Sequence, residues 1–182
     1  MLSVLDDAKT YSQLDPTGFG HRLHTFSDQC MQAWRQVREF KLPDEYDGVS
    51  RVLFLGVGGS AISGDLLMDL ASLEKTIPMS VHRDYGLPSF VDDKTLVLAM
   101  SYSGNTAETI SGCLNGITCG AKLVVITSGG RLAEEAQRAD IPCFKITSML
   151  DPTNVTVNSN VAIKTPNIVI PLVAMYRFRL NE

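Results

Sequence analysis

Residues 51–66 read RVLFLGVGGSAISGDL and residues 95–109 read TLVLAMSYSGNTAET. Each begins as an apolar run, passes through a turn crowded with glycine and hydroxyl residues, and continues in a segment suited to a helix. A nearly unbroken run of aliphatic and β-branched residues fits a parallel strand covered on both faces better than a strand with one wet face. Working outward, three more β-rich runs occur at 78–82 (PMSVH), 122–127 (KLVVIT) and 141–146 (IPCFKI). Between them, Ile62, Leu66, Leu70 and Leu73 recur at helical spacing and line one helix face. Ile110, Cys113, Leu114 and Ile117 repeat the pattern, and Leu132, Ala133 and Ala136 do so more sparsely. Strands alternating with helices imply βαβ crossovers, hence an α/β fold with a five-stranded parallel sheet between helical layers.

Upstream, Ser27 is placed to cap a helix that runs to about Phe40. Either Met31, Trp34 and Val37, or Ala33, Val37 and Phe40, face inward, and Trp34 reads as core. Leu42-Pro43 ends that helix before the first strand. From Thr147 the character changes: the segment is rich in asparagine, holds several prolines and no glycine, and has no helical period. Val155–Val157 and Val161–Ile163 around Asn158-Ser159-Asn160 suit a small hairpin. The expected division is an N-terminal helical segment (1–47), the α/β domain (48–146) and a divergent tail (147–182).

The chain has 182 residues, 45% of them hydrophobic and 20% charged, which is ordinary globular composition. A net charge of −4 argues against a nucleic-acid binder that works by releasing counterions. It leaves anionic ligands open, because backbone amides at a helix start bind phosphate without any cation. Cys30, Cys113, Cys119 and Cys143 form no CxxC pair, so no metal site is expected, and His21 with His24 reads as two surface histidines rather than ligands. Unpatterned cysteines and an acidic N-terminus without a long apolar run point to the cytoplasm. The apolar stretch Ile168–Tyr176 is interrupted by Pro171 and is too short to span a membrane.

In an open α/β sheet, ligands bind beyond the carboxyl ends of the strands. The two glycine-serine turns occupy two such ends. Glycine lets the backbone approach a ligand closely, and serine and threonine hydroxyls add donors beside the free N–H groups of the following helix. Two other readings stand beside an anion site. Both turns could be plain helix starts, capped by Ser60 and by Ser103 or Asn105. Alternatively Gly56-Val57-Gly58-Gly59-Ser60-Ala61 fits the dinucleotide pattern G-x-G-x-x-A, with Asp84 near the end of the second strand as the ribose-binding acid, which would suit a nicotinamide-linked oxidoreductase.

SYSGNTAET after an apolar strand, paired with GVGGSAISGDLL, resembles the sugar isomerase (SIS) domain. Residues 81–88 (VHRDYGLP) after the second strand and 126–132 (ITSGGRL) after the fourth narrow the resemblance to the bifunctional phosphoglucose/phosphomannose isomerase family, over roughly residues 1–146. It implies a three-layer α/β/α sandwich, Rossmann-like or flavodoxin-like, that binds fructose 6-phosphate, glucose 6-phosphate or mannose 6-phosphate and needs no cofactor. By the same resemblance, Gly59 and Ser60 match the first phosphosugar-binding turn, while Ser101, Ser103 and Thr106 match the hydroxyls that grip the phosphate. Glu108 lies where an acid stabilises a helix start, a role that outweighs catalysis here. Arg83 could reach the site, but an arginine at a strand end more often pairs with an acid such as Asp84 or Asp92.

Aldose–ketose isomerisation needs a base near the reacting carbons, help in opening the ring, and a donor or cation for the enediolate oxygens. The resemblance implies that these groups come from an arginine after the fifth strand and from a glutamate and a histidine in a second domain. None of the three has a match here, because Ile146 is followed by Thr147-Ser148-Met149-Leu150 and no histidine lies beyond His82. The sequence therefore leads to the expectation of a phosphate grip without proton-transfer groups. The tail reads either as the product of a frameshift or truncated gene, the favoured explanation, or as the native ending of a non-catalytic sugar-phosphate sensor. An apolar face left without its partner domain would favour self-association, with a homodimer as one form.

Overall fold

A computed structural model describes residues 8–15, 18–74 and 77–146. The hairpin expected at 155–163 and the whole of the tail lie outside them. In chain order the elements are α1 (Ala8–Leu14), α2 (Phe19–His24), α3 (Phe26–Glu39), a turn of 3-10 helix (Asp44–Tyr46), β1 (Arg51–Leu55), α4 (Gly59–Glu74), β2 (Met79–His82), β3 (Thr95–Ser101), α5 (Ala107–Cys119), β4 (Lys122–Thr127), α6 (Gly130–Arg138) and β5 (Cys143–Lys145). The five strands form one parallel sheet in the order β2-β1-β3-β4-β5.

The apolar runs alternate between the two faces of the sheet. Val52, Phe54, Leu96, Leu98, Met100, Val124, Ile126 and Phe144 pack on one side with Val37 of α3 and Leu67 of α4. Leu53, Leu55, Val97, Ala99, Leu123 and Val125 pack on the other with Ile110 and Cys113 of α5 and Leu132 and Ala136 of α6. The central strands β1, β3 and β4 are covered on both faces, which is why they read as continuous apolar runs. Tyr46 of the 3-10 turn donates its hydroxyl to the carbonyl of Leu123 at 2.8 Å, pinning the α3–β1 connection to β4.

Two expectations are corrected and one alternative is decided. The residue flanking the start of α3 is Thr25, not Ser27, and its hydroxyl bonds back to the carbonyl of His21 in α2 instead of capping α3. Of the two inward faces offered for α3, the structure has the second, with Ala33 and Val37 buried and Phe40 packed beside them; Trp34 packs against the core as expected, and Met31 faces out. The third concerns α4. Ile62, Leu66, Leu70 and Leu73 do share a face, but it points away from the sheet, at 52%, 46%, 38% and 79% exposure. The face on the sheet is made of Ala61, Ser63, Gly64, Leu67 and Ala71. Close approach explains the choice: a Cβ on Gly64 would stand 2.5 Å from the Phe54 ring, so small residues are required there. Spacing alone identified a stripe, and helix–sheet distance decided which stripe is buried.

Candidate functional site

The chain order reverses between β1 and β3: β1 is followed by its neighbour β2 on one side, while β3 leads to β4 and β5 on the other. A crevice at the carboxyl ends of two such strands is where open α/β sheets receive ligands. Both glycine-serine turns start there, since Leu55 is paired with Ala99 and the strands end side by side.

In the first turn, Gly56 donates its N–H to the carbonyl of His82 at 3.2 Å, tying the turn to the end of β2. Gly58 has φ +58°, and Ala61 and Ile62 both donate to its carbonyl. The helix begins at Gly59, which is exposed, and Ser60 lies one residue inside it, half-buried. Ser60 is therefore not a flanking cap.

The second turn gathers hydroxyls. Ser101, at the end of β3 and 1% exposed, has its Oγ 2.8 Å from Thr106 Oγ1 and 3.5 Å from Ser103 Oγ. Ser101 Oγ accepts the N–H of Gly104 at 3.1 Å, and Ser103 Oγ accepts that of Asn105 at 3.3 Å. A hydroxyl has one donor and two acceptor sites. With one acceptor site on each engaged by a backbone N–H, Ser101 and Ser103 each retain an O–H donor and a second acceptor site for each other, for Thr106 or for a ligand oxygen. Thr106 is the residue flanking the start of α5, yet its side chain makes no capping bond. That corrects the expectation of a cap from Ser103 or Asn105. The first N–H groups of α5 have no side-chain acceptor, and the positive end of the helix stays directed at the hydroxyl cluster. Glu108 sits in that first turn as expected.

The neighbouring cations are engaged elsewhere. Arg83 does not pair with Asp84 or Asp92; it bonds both carboxylate oxygens of Asp65 on α4. Asp92 is instead near Arg51, at 3.8 Å, and accepts from the Thr95 hydroxyl and the Lys94 N–H, which hold its carboxyl below the usual range. Asp84 accepts the N–H of Tyr85 at 2.7 Å, a local turn bond rather than a free ribose ligand. Arg131 directs its guanidinium to Glu135, 3.6 Å away. His21 and His24 are both exposed on α2, and among the described residues no cluster of three metal-ligating side chains occurs. Burial and the charge of Glu135 push the Cys113 thiol up to about 11, so it is an inert core group.

Sequence reading missed the partner of the second turn. The β4–α6 turn, residues 128–131, lies against it. Ser128 donates both its N–H (3.1 Å) and its hydroxyl (2.5 Å) to the carbonyl of Tyr102, Leu132 donates its N–H to Gly104, and Arg131 donates its N–H to Asn105 Oδ1 at 3.1 Å. The available signal was the Ser128-Gly129-Gly130 run directly after a strand. A second glycine-rich turn at the next strand end marks a place where two backbones meet.

No family model matches the chain. It is 38% identical over 130 residues to a bifunctional phosphoglucose/phosphomannose isomerase of Caldicellulosiruptor bescii, covering 71% of this chain and 38% of that one. It is 40% identical over 111 residues to the protein of the same name from Thermoplasma acidophilum, covering 58% and 35%. The chain thus spans less than two-fifths of the length of these curated relatives. Among solved structures, the sugar isomerase domain of an RpiR transcription factor from Sphaerobacter thermophilus shares the fold, with a TM-score of 0.57 at 12% identity, over 88% of this chain and 90% of that one. No described helix is long and apolar enough to cross a membrane.

Proposed function

We propose that the chain carries a sugar isomerase (SIS) domain of the kind found in the bifunctional phosphoglucose/phosphomannose isomerases it resembles, and that its two glycine-serine turns bind the phosphate of a hexose 6-phosphate: fructose, glucose or mannose 6-phosphate. The observation that carries this reading is the convergence of the Ser101, Ser103 and Thr106 hydroxyls in front of an uncapped start of α5. A hydrogen bond to a charged group contributes about 1.5–3 kcal/mol, so four or five donors hold a phosphate without a cation. Gly59 and Ser60 bring a second helix start to the same crevice.

The relatives are named as phosphoglucose/phosphomannose isomerases; an aldose–ketose isomerisation would move a proton between two adjacent carbons, a redox-neutral change that calls for no cofactor. Around the two turns the described residues offer hydroxyls and backbone donors, while the nearby arginines Arg83 and Arg131 are drawn to Asp65 and Glu135. We therefore take residues 48–146 as the phosphate-binding unit, with the 1–47 segment lending Val37 and Trp34 to its core, and expect the 182-residue chain to bind without turnover. The four free thiols support a reducing, cytoplasmic setting. The exposed stripe on α4 supports self-association.

Calorimetric titration with fructose 6-phosphate is expected to saturate, and titration with NAD to give no heat. Ser101→Ala combined with Ser103→Ala should weaken binding at least about a hundredfold, from two bonds of that strength. Unchanged affinity in the double variant would remove the assignment, and measurable conversion of fructose 6-phosphate to glucose 6-phosphate by the pure chain would overturn binding without turnover.

A further inference from the structure

We propose that Asn105 and the β4–α6 turn, anchored by Thr127, are positioning elements for the phosphate site: they hold the 102–105 backbone in the shape that brings its hydroxyls together. The inference rests on the phosphate reading above and adds residues that touch no substrate.

Thr127, the last residue of β4, is fully buried, and its Oγ1 donates to the carbonyl of Gly129 at 2.8 Å while accepting the Gly129 N–H at 3.2 Å. That pair fixes where the Gly129 carbonyl points. It points at Gly104: a Cβ there would lie 1.7 Å from Gly129 O and 2.9 Å from Thr127 Oγ1, and Gly104 has φ +68°. The approach is mutual, because a Cβ on Gly130 would stand 2.4 Å from the carbonyl of Ser103. Two backbones are in contact where neither tolerates a side chain.

Asn105 closes the contact. Its Oδ1 accepts the N–H of Arg131, and its Nδ2 donates to the carbonyl of Ser103 at 3.2 Å. One exposed side chain thus bridges the start of α6 to the residue bearing a phosphate-binding hydroxyl. With the Ser128 and Leu132 bonds, every residue from Tyr102 to Asn105 is held by α6 or its turn, through a hydrogen bond or backbone contact. Binding groups fixed before the ligand arrives lose less entropy on binding.

The test uses the full 182-residue chain and two readouts. Calorimetry with fructose 6-phosphate is expected to show about tenfold weaker binding for Thr127→Val and for Asn105→Ala, the effect of one lost positioning bond. Thr127→Ser, which keeps the hydroxyl, should stay within about twofold of the parent. Hydrogen-exchange mass spectrometry without ligand is expected to show faster exchange across residues 101–106 in Thr127→Val and Asn105→Ala, restored in Thr127→Ser, with the β1 and β3 cores unchanged. Parent-like exchange at 101–106 in both variants overturns the proposal whether or not the chain binds a hexose phosphate. Parent-like affinity in both, in a chain whose Ser101/Ser103 double variant has lost binding, overturns it equally. Failure of the parent to bind any hexose phosphate would defeat the phosphate reading while the exchange data still decide the clasp.

Discussion

The β1–turn–α4 and β3–turn–α5 units share a plan and differ in construction. Each runs from a buried strand through a glycine at positive φ, Gly58 or Gly104, into a helix beside a serine. Around Gly58 there is nothing within 4 Å of where a Cβ would stand, whereas Gly104 faces the carbonyl of Gly129. The first turn is therefore a free-standing bend, tied among the described residues to the end of β2 by the Gly56–His82 bond. The second is clasped by its neighbour and carries three converging hydroxyls. One glycine serves conformation alone; the other serves conformation and contact. Similar motifs in sequence are thus unequal in how rigidly they present donors, and the rigid one is the better candidate for the larger share of binding energy.

Alanine at the two glycines tests this difference most severely. Gly104→Ala combines the left-handed penalty with a backbone clash, about 3 kcal/mol or more together, and should lower Tm by roughly 10 °C in a chain of this size. Hexose phosphate binding should disappear with it. Gly58→Ala meets no neighbour and should cost only the conformational term, about 1–2 kcal/mol. Equal losses of stability in the two variants would show that the clasp does not distinguish the units.

A smaller effect is expected from the serines. Ser103→Ala and Ser60→Ala each remove one donor, worth about 1.5–3 kcal/mol if the donor reaches the phosphate. Ser103 is held by the clasp and should cost the larger fraction, about thirtyfold in Kd; Ser60, on the unclasped helix, should cost about tenfold. Reversal of that order, read by calorimetry, would assign the dominant grip to the first turn.

The helices that follow differ on their outer faces as well. Ile62, Leu66, Leu70 and Leu73 are exposed on α4, while on α5 Ile117 is the large apolar side chain left exposed. Leu66→Glu with Leu70→Glu should leave Tm within a few degrees, because neither side chain supports the core, and should lower the apparent mass by light scattering if the stripe mediates association. The same residues show where sequence reading stops. All five strands were legible within two residues of their ends, because short β-rich runs alternate with helical patterns, and the central three are nearly continuous apolar runs. The hydroxyl cluster was legible too, because serine, glycine and threonine at a strand end leave few alternatives. Which face of α4 is buried was not legible, as both faces carry apolar or small residues and the Gly64–Phe54 distance decides. Nor was the pairing of Arg83 with Asp65, or the clasp, since each joins residues distant in sequence through backbone geometry.

The finest comparison lies near the start of each helix. Ser63 of α4 and Thr109 of α5 are buried, and the hydroxyl of each has no hydrogen-bond partner among the described residues. A buried hydroxyl without a partner costs about 1–3 kcal/mol, so replacing it with an apolar group of similar shape should stabilise the protein. Ser63→Ala and Thr109→Val are each expected to raise Tm by about 2–4 °C, the equivalent of roughly 1 kcal/mol at this chain length. Thr109→Val is the cleaner change, because it preserves volume where Ser63→Ala leaves a small void that offsets part of the gain. Calorimetry gives the second axis. If either variant gains stability and keeps its affinity, its hydroxyl is an unmet polar group of the helix–sheet interface. If Thr109→Val alone gains stability but binds fructose 6-phosphate more weakly, its hydroxyl belongs with those of Ser101 and Ser103, and the second unit exceeds the first by a further donor.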